Sequence, residues 1–472
     1  MSYEIKPDRS QTFLFPVALD DWIPQNHPAR FIAAFIESLD LQANGFPVGH
    51  APTGRPGFSA ELMLSVICYC YFSRIRSLRG MEQACLDNIG VIWLTGNERP
   101  DFNTIGLFFR KNRKAIRNLL KQSVKVAASA NLIGMVLHAV DGTKIRAQAS
   151  RSSALFKKAL SEALERVDAS ILEMETCIEA DAESDLNSFC LPEELANAEA
   201  RKNSIEAGLA ELKQANRKNL NPSEPDANVM QCDGKFDFGY NAQAVTDAKA
   251  GIIVAVDVVE NENDHGLLAP MIDKVKETVG AVAETTVADT GYSAGKDLAD
   301  AQEKGYNVLA NIAQNVIPDG DKWPFHITRF RYDSEKKTCI CPLNKQLVLV
   351  SVRKGRESDG MLTSFRCDDF EDCPKRWQCS SNKRGRGVEF SEYRKYAEEQ
   401  KLKQQTPEAK KALANRASIV EPTFAFAKEG LGFRKWSFRT LDGVQTQWAL
   451  MATTMNLRKL YRFWTDGVVN FA

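Results

Sequence analysis

Two short apolar runs that each stop on an aspartate, Met135-Val-Leu-His-Ala-Val-Asp141 and Thr285-Thr-Val-Ala-Asp289, constrain the fold of this chain more than any bulk property. Each reads as a short buried strand. Gly239-Tyr-Asn-Ala-Gln-Ala-Val-Thr and Gly251-Ile-Ile-Val-Ala-Val-Asp-Val-Val read as two more strands, with Asp247-Ala-Lys-Ala-Gly251 as the hairpin turn between them. Helices are expected over 266–279 and 294–304, and a strand at Tyr306-Asn-Val-Leu-Ala. Strands mixed with helices in this order predict an α/β fold whose single mixed sheet carries Asp141 and Asp289 at strand ends. On residue type alone, a strand-end aspartate is more often a turn former or a helix cap than a ligand.

At 472 residues the chain is expected to hold more than one folded unit. Residues 1–130 read as a helical domain. Ser59 is placed to cap a helix running to Phe72, Gly80 and Gly96-Asn97 read as breaks, and Pro100-Asp101 opens a helix. That last helix carries Arg110, Arg113, Lys114 and Arg117, which suit either a solvated face or phosphate contact. The sheet is expected in two parts, 131–152 and 228–320. Between them, 153–227 is rich in Ala, Glu and Lys and reads as an inserted helical hairpin with a break near Asn187-Ser188. Residues 321–395 are broken, polar and cysteine-bearing, and 396–472 read as C-terminal helices, Thr406 to about Lys428 and Val444 to Trp464, that complete the core.

Lys plus Arg and Asp plus Glu both number 61, which alone argues against a general nucleic-acid binder. The charge is uneven, however: residues 401–472 hold twelve Lys/Arg against five Asp/Glu. No stretch approaches the ~20 apolar residues that span a bilayer, and the N-terminus lacks a basic start followed by an apolar run. A cytoplasmic protein without a membrane partner is therefore expected. Of the eleven cysteines, six are scattered as small hydrophobes, and five, Cys339, Cys341, Cys367, Cys373 and Cys379, are crowded together. Four thiolates from that group could bind tetrahedral zinc, or all could stay reduced.

The stretches HAVDGTKIRAQAS (138–150), GYNAQAVTD (239–247), VADTGYSAG (287–295) and IVEPTFAFAKEGLGFRKWSFR (419–439), taken in order, resemble the signature blocks of DDE transposases of bacterial insertion sequences. The N-terminal stretches 54–85 and 99–111 resemble the helical domain of one subgroup. The resemblance implies a ribonuclease-H-like core, double-stranded DNA as partner (transposon ends and target), and Mg²⁺ or Mn²⁺ as cofactor. It assigns Asp141, Asp289 and Glu421 as the catalytic, metal-binding acids. Phosphodiester cleavage at neutral pH is suited to two metal ions about 3.5–4 Å apart, which activate the nucleophile and stabilise the leaving oxygen. Magnesium favours such hard oxygen ligands.

The same resemblance makes Lys428 a DNA contact, two helical turns beyond Glu421 if the helix is continuous. Arg416 is grouped with it as a DNA contact; it stands five residues before Glu421, where the related signature has its arginine four before. In the cysteine stretch the subgroup pattern covers Cys341, Cys373 and Cys379, but Phe370 replaces one of its cysteines. Arg434, Lys435 and Arg439 fit phosphate contact, and Trp436 suits either the core or a displaced base. The implied activity is cleavage at terminal inverted repeats and strand transfer by at least a homodimer associated with the nucleoid. A DNA-binding relative without catalysis and a nuclease without strand transfer are the alternatives.

Overall fold

The computed structural model describes residues 18–47, 57–149, 154–183, 192–312, 324–356 and 359–471. The N-terminal helices begin where short polar side chains satisfy their first backbone amides. His27 caps α1 (Pro28–Glu37), and Ser59 Oγ accepts from Leu62 N at 3.1 Å to open α2 (Ala60–Phe72). From Met63 to Phe72 every residue of α2 is buried, so this helix is the centre of the domain. Ser77 caps α3 (Leu78–Asp87), which contains Gly80 instead of breaking there. A Cβ on Gly80 would stand 2.8 Å from the capping Ser77 Oγ, so glycine permits the cap and does not interrupt the helix. Asn88 caps α4 (Ile89–Thr95), which ends on Gly96 at φ 61°. The expected basic helix is two helices, α5 (Phe102–Lys111) and α6 (Arg113–Ser129), parted at Asn112.

The central sheet starts with β1 (Leu137–Arg146). The chain then leaves through β2 (Leu155–Phe156), α7 (Lys157–Glu183) and α8 (Pro192–Gln214), and returns through β3 (Asn219–Leu220), which pairs with β2. Val167, Ile171 and Ile205 form a small core between α7 and α8. The break expected at Asn187-Ser188 lies outside the described residues. Next come β4 (Asn228–Cys232), β5 (Lys235–Asp247), β6 (Ile253–Val259), α9 (Leu268–Val279), β7 (Thr285–Ala288), α10 (Gly295–Glu303) and β8 (Val308–Ala310). The sheet order is β4-β5-β1-β7-β8, with β6 also beside β5. The β1, β5 and β6 pairings are antiparallel, whereas β7 runs parallel to β1, and β8 to β7. This is a ribonuclease-H-like mixed sheet.

Asp141 lies in the middle of β1 and not at its end. β5 pairs with β1 from His138 to Arg146, but β7 pairs with it only from Leu137 to Ala139. Past Ala139 no described strand pairs with β1 on that flank until Arg146 bridges to Lys435, and residues Asp141 to Lys144 are half-buried. The apolar run therefore stops where the second neighbour stops.

The cysteine-bearing stretch is more ordered than its polar sequence suggests. It forms β9 (Arg331–Asp333), β10 (Thr338–Ile340), β11 (Gln346–Lys354), β12 (Met361–Arg366), α11 (Arg376–Cys379) and β13 (Gly387–Ser391). The strands make one antiparallel sheet, β13-β12-β11-β10-β9, over a core of Phe330, Leu347, Phe365, Val388, Phe390 and Cys339. Val348, Leu349, Val350 and Val352 of β11 are all exposed, so the alternation that marks a half-buried strand is lost there.

α12 (Arg394–Lys403) was not expected from the sequence. Gln400 Nε2 donates to Val308 O at 2.8 Å, and Gln404, just past the helix, donates to Ala310 O, so this helix end covers the outer edge of β8. α13 (Pro407–Ala425) follows, capped by Thr406, and a π-turn over Phe426–Gly430 leads to the last helix, α14 (Leu441–Thr465). α14 packs on α2, α6 and β6. Asn456 bonds both backbone groups of Ile253 at 2.9 and 2.8 Å. Trp448 stacks on Phe424 and Phe433 and donates to Gln243 O at 2.8 Å. No helix among the described residues is long and apolar enough to cross a membrane. Trp448→Ala is expected to destabilise the protein by about 3–5 kcal/mol, read by denaturant unfolding, because it empties a fully buried indole site and orphans a carbonyl.

Candidate active site

Asp141 and Asp289 are both anchored by nearby backbone amides. Asp141 Oδ1 accepts from Gly142 N at 2.8 Å. Asp289 follows β7, and its Oδ1 accepts from Gly291 N at 2.8 Å, capping a 3-10 turn at Thr290–Tyr292. Both sequence readings of Asp289 thus hold, as a strand-end acid and as a cap. Glu421 comes from α13, which crosses β1, β5 and β7. Arg416, on the same helix, joins the acids: its Nη1 lies 3.0 Å from Asp141 Oδ2 and its Nη2 3.6 Å from Glu421 Oε1. At five residues' spacing Arg416 and Glu421 do not share a helical stripe, and the reach of the guanidinium arm closes the gap.

Burial pushes the Asp141 carboxyl above its usual range, the Gly142 amide and Arg416 pull it down, and the charge of Asp289 pushes it up again. The Tyr292 phenol registers the same neighbourhood. It is held protonated by burial and then by the charges of Asp264, Asp141 and Asp289. Asp264 is the acid that sequence reasoning missed. Its Oδ1 accepts from Asn241 Nδ2 and Gln243 Nε2, each at 2.8 Å, and Tyr292 OH donates to Gln243 Oε1. Asn241 and Gln243 belong to the block at 239–247, and that motif was the available signal. Further along the Asp264 loop, Gly266 N donates to Asp297 Oδ1 at 2.6 Å.

The basic residues divide into two groups. Arg113 and Arg117 pair with Asp442 at 2.8 and 2.5 Å, so they fasten α6 to α14. Lys428 pairs with Asp233 at 2.9 Å, and Arg434 lies between Asp233 (3.5 Å) and Glu429. The expectation that Lys428 repeats the face of Glu421 requires an unbroken α-helix, and the π-turn removes that phase. Arg110, Lys114, Lys435 and Arg439 are exposed. Trp436 is fully buried, with Nε1 donating to Ile145 O at 3.1 Å, so it belongs to the core and cannot stack on a base.

The five clustered cysteines also divide. Cys339 is fully buried in the core of the small sheet. The Cys367 thiol is pushed up by burial and then by Cys373 and Cys341. Burial also raises Cys379, with Cys373, Cys367 and Cys341 adding to it. Those four thiols form one neighbourhood. Among the described residues, however, no three His, Cys, Asp or Glu side chains are gathered closely enough to hold a metal ion as they are placed.

Two protein families match parts of the chain. One, described as a transposase DDE domain, covers residues 340–461, and the other, described as a transposase domain (DUF772), covers residues 17–111. The first match includes Arg416 and Glu421, and the second ends on the last residue of α5. No curated protein matches the chain.

Asp297 gives a pH test of the packing behind the site. Burial raises its carboxyl from 3.8 to about 7, against the pull of the Gly266 amide. A raised folded-state value means that its contribution to stability is complete below pH 4 and is lost as pH rises through about 7. Asp297→Asn keeps an acceptor for Gly266 without the buried charge. Its melting temperature is expected to exceed that of the wild type by roughly 2–4 °C at pH 8, with the gap closing towards pH 4.

Proposed function

Given that the chain is a DDE-type transposase of an insertion sequence, and hence of a DNA-binding family, we propose that it cleaves DNA at the terminal inverted repeats of its own element and joins the ends to a target. The observation that carries this reading is the bridge of Arg416, which ties Glu421 of α13 to Asp141 in the middle of the sheet. Asp289 is close enough for its charge to act on Asp141.

The chemistry of the three carboxylates suits Mg²⁺ or Mn²⁺, because they offer hard oxygens and the charge of Asp289 already acts on Asp141; as placed they do not yet converge on one point, and Glu421 faces Arg416. Asp141 and Asp289 would hold the ions from the sheet. Glu421, with a side chain 58% exposed, is free to turn from Arg416 towards them. Divalent ions bound there would activate a water or a 3′ hydroxyl and stabilise the leaving oxygen. Arg416 balances the charge of Asp141 and Glu421, and the amides of Gly142 and Gly291 fix the two aspartates.

Phosphate contacts fall to the exposed Arg110, Lys114, Lys435 and Arg439. Lys428 and Arg434 can join them by exchanging Asp233 for a phosphate. Acting on two ends calls for a homodimer, working on the nucleoid in the cytoplasm. Cys341, Cys367, Cys373 and Cys379 are the zinc candidates, a structural site away from the chemistry.

With Mg²⁺ and a supercoiled plasmid bearing the element's ends, the wild type is expected to cut and join. Asp141→Asn, Asp289→Asn and Glu421→Gln should each slow cutting by more than ~100-fold while end binding persists. Wild-type binding without nicking would make the chain a DNA-binding relative, and cutting without joining would make it a nuclease. For the cysteines, metal analysis of purified protein should find about one zinc per chain. Cys373→Ser and Cys379→Ser should lose it and Cys339→Ser should keep it; retention in the first two would remove zinc from this site.

A further inference from the structure

Asp264 has no place in the three-acid scheme, yet the backbone next to both aspartates, strand β1 at Gly142 and the turn at Gly291, packs onto it. A Cβ on Gly142, the residue after Asp141, would run into the Gln243 carboxamide and stand 3.0 Å from Asp264 Oδ1. A Cβ on Gly291, two residues after Asp289, would stand 3.0 Å from Asp264 Oδ2 and 3.0 Å from Asp289 Oδ1. One carboxylate thus lies between Gly142 on strand β1 and Gly291 in the turn after β7. Its own position is fixed on the other side. Asn241 and Gln243, both buried on β5, hold Oδ1 with two carboxamide donors, and Tyr292 orients the Gln243 carboxamide by donating to its oxygen. Tyr292 closes the turn that Asp289 caps, so the network starts on β5 and ends on the Asp289 loop.

We infer that Asp264 is a positioning residue that sets the separation of the Asp141 and Asp289 carboxylates. This inference rests on the metal-binding reading of those two acids. The two hydrogen bonds to Oδ1 hold the Asp264 side chain in place, and its packing against Gly142 on β1 and Gly291 keeps the turn after Asp289 from closing onto the strand that carries Asp141. A Cβ at Gly142 would collide with Gln243, the partner of Asp264, and one at Gly291 would press on both Asp264 and Asp289. Partners of metal ligands that act in this indirect way typically change metal affinity or activity 10–100-fold when removed.

The test is Mn²⁺ binding to the full chain without DNA, followed by the loss of the free-ion paramagnetic resonance signal, with melting temperature as the check on folding. Asp264→Ala is expected to weaken Mn²⁺ binding at least ~10-fold. Asp264→Asn, which retains an oxygen for Asn241 and Gln243, should stay close to wild type. Asn241→Ala removes one of the two donors that hold Asp264 Oδ1, from a residue hydrogen-bonded to neither catalytic aspartate. It should weaken binding in the same direction as Asp264→Ala, and normal binding by it would overturn the inference if Asp264→Ala does not fold. Asp264→Ala binding Mn²⁺ as the wild type does, while Asp141→Asn is impaired, overturns the inference alone. Asp264→Asn as weak as Asp264→Ala overturns it too, because charge and not the hydrogen-bonded scaffold would then be responsible. Asp141→Asn binding normally would instead remove the metal-binding reading itself.

Discussion

A single guanidinium reconciles charges that the fold forces together. Asp141 is half-buried on a strand, next to a second aspartate, and burial by itself would drive it towards protonation. Arg416 sits 3.0 Å from it and also reaches Glu421, so the acid keeps a cation beside it. The pair joins β1 to α13, segments far apart in the chain, and for that reason the C-terminal helices belong to the core sheet and do not form a separate domain. Removing one partner of a buried pair leaves the other charge stranded, usually at a greater cost than the pair contributes.

The rest of the architecture supplies the frame for that contact. α14 is buried along most of its length, fixed to the sheet by Trp448 and Asn456 and to the N-terminal helices by the Asp442 pairs with Arg113 and Arg117. The N-terminal domain is thereby joined to the sheet through the C-terminus. α13 leads towards this frame and brings Arg416 and Glu421 over the open flank of β1, where β7 has ended and the aspartate becomes accessible.

Much of the sheet was legible because its strands are apolar runs bounded by turn residues, and in the N-terminal domain the helix starts at Ser59 and Asp101 were legible from their caps. Three features were not. The continuation of β1 past Asp141 depends on a partner, β5, that contributes no local signal to β1. The small antiparallel sheet was hidden by exposed valines and leucine on β11, which blur the two-residue period. The π-turn after α13 depends on tertiary packing, and with it went the face expected of Lys428. In the site, the family blocks pointed to the three acids, which residue type could not pick from 61. Asp264 lay outside those blocks, and only the side chains of Asn241 and Gln243, folded against it, bring it into view.

The glutamines at the end of α12 have a topological consequence. The chain departs from the sheet just after Ala310, builds a second hydrophobic nucleus, and comes back to the same strand, where Gln400 and Gln404 fasten onto the carbonyls of Val308 and Ala310. Departure and return thus share one doorway. Whatever is built outside it can grow, shrink or be exchanged between relatives without shifting the registry of any strand within, since the border is latched by two carboxamides.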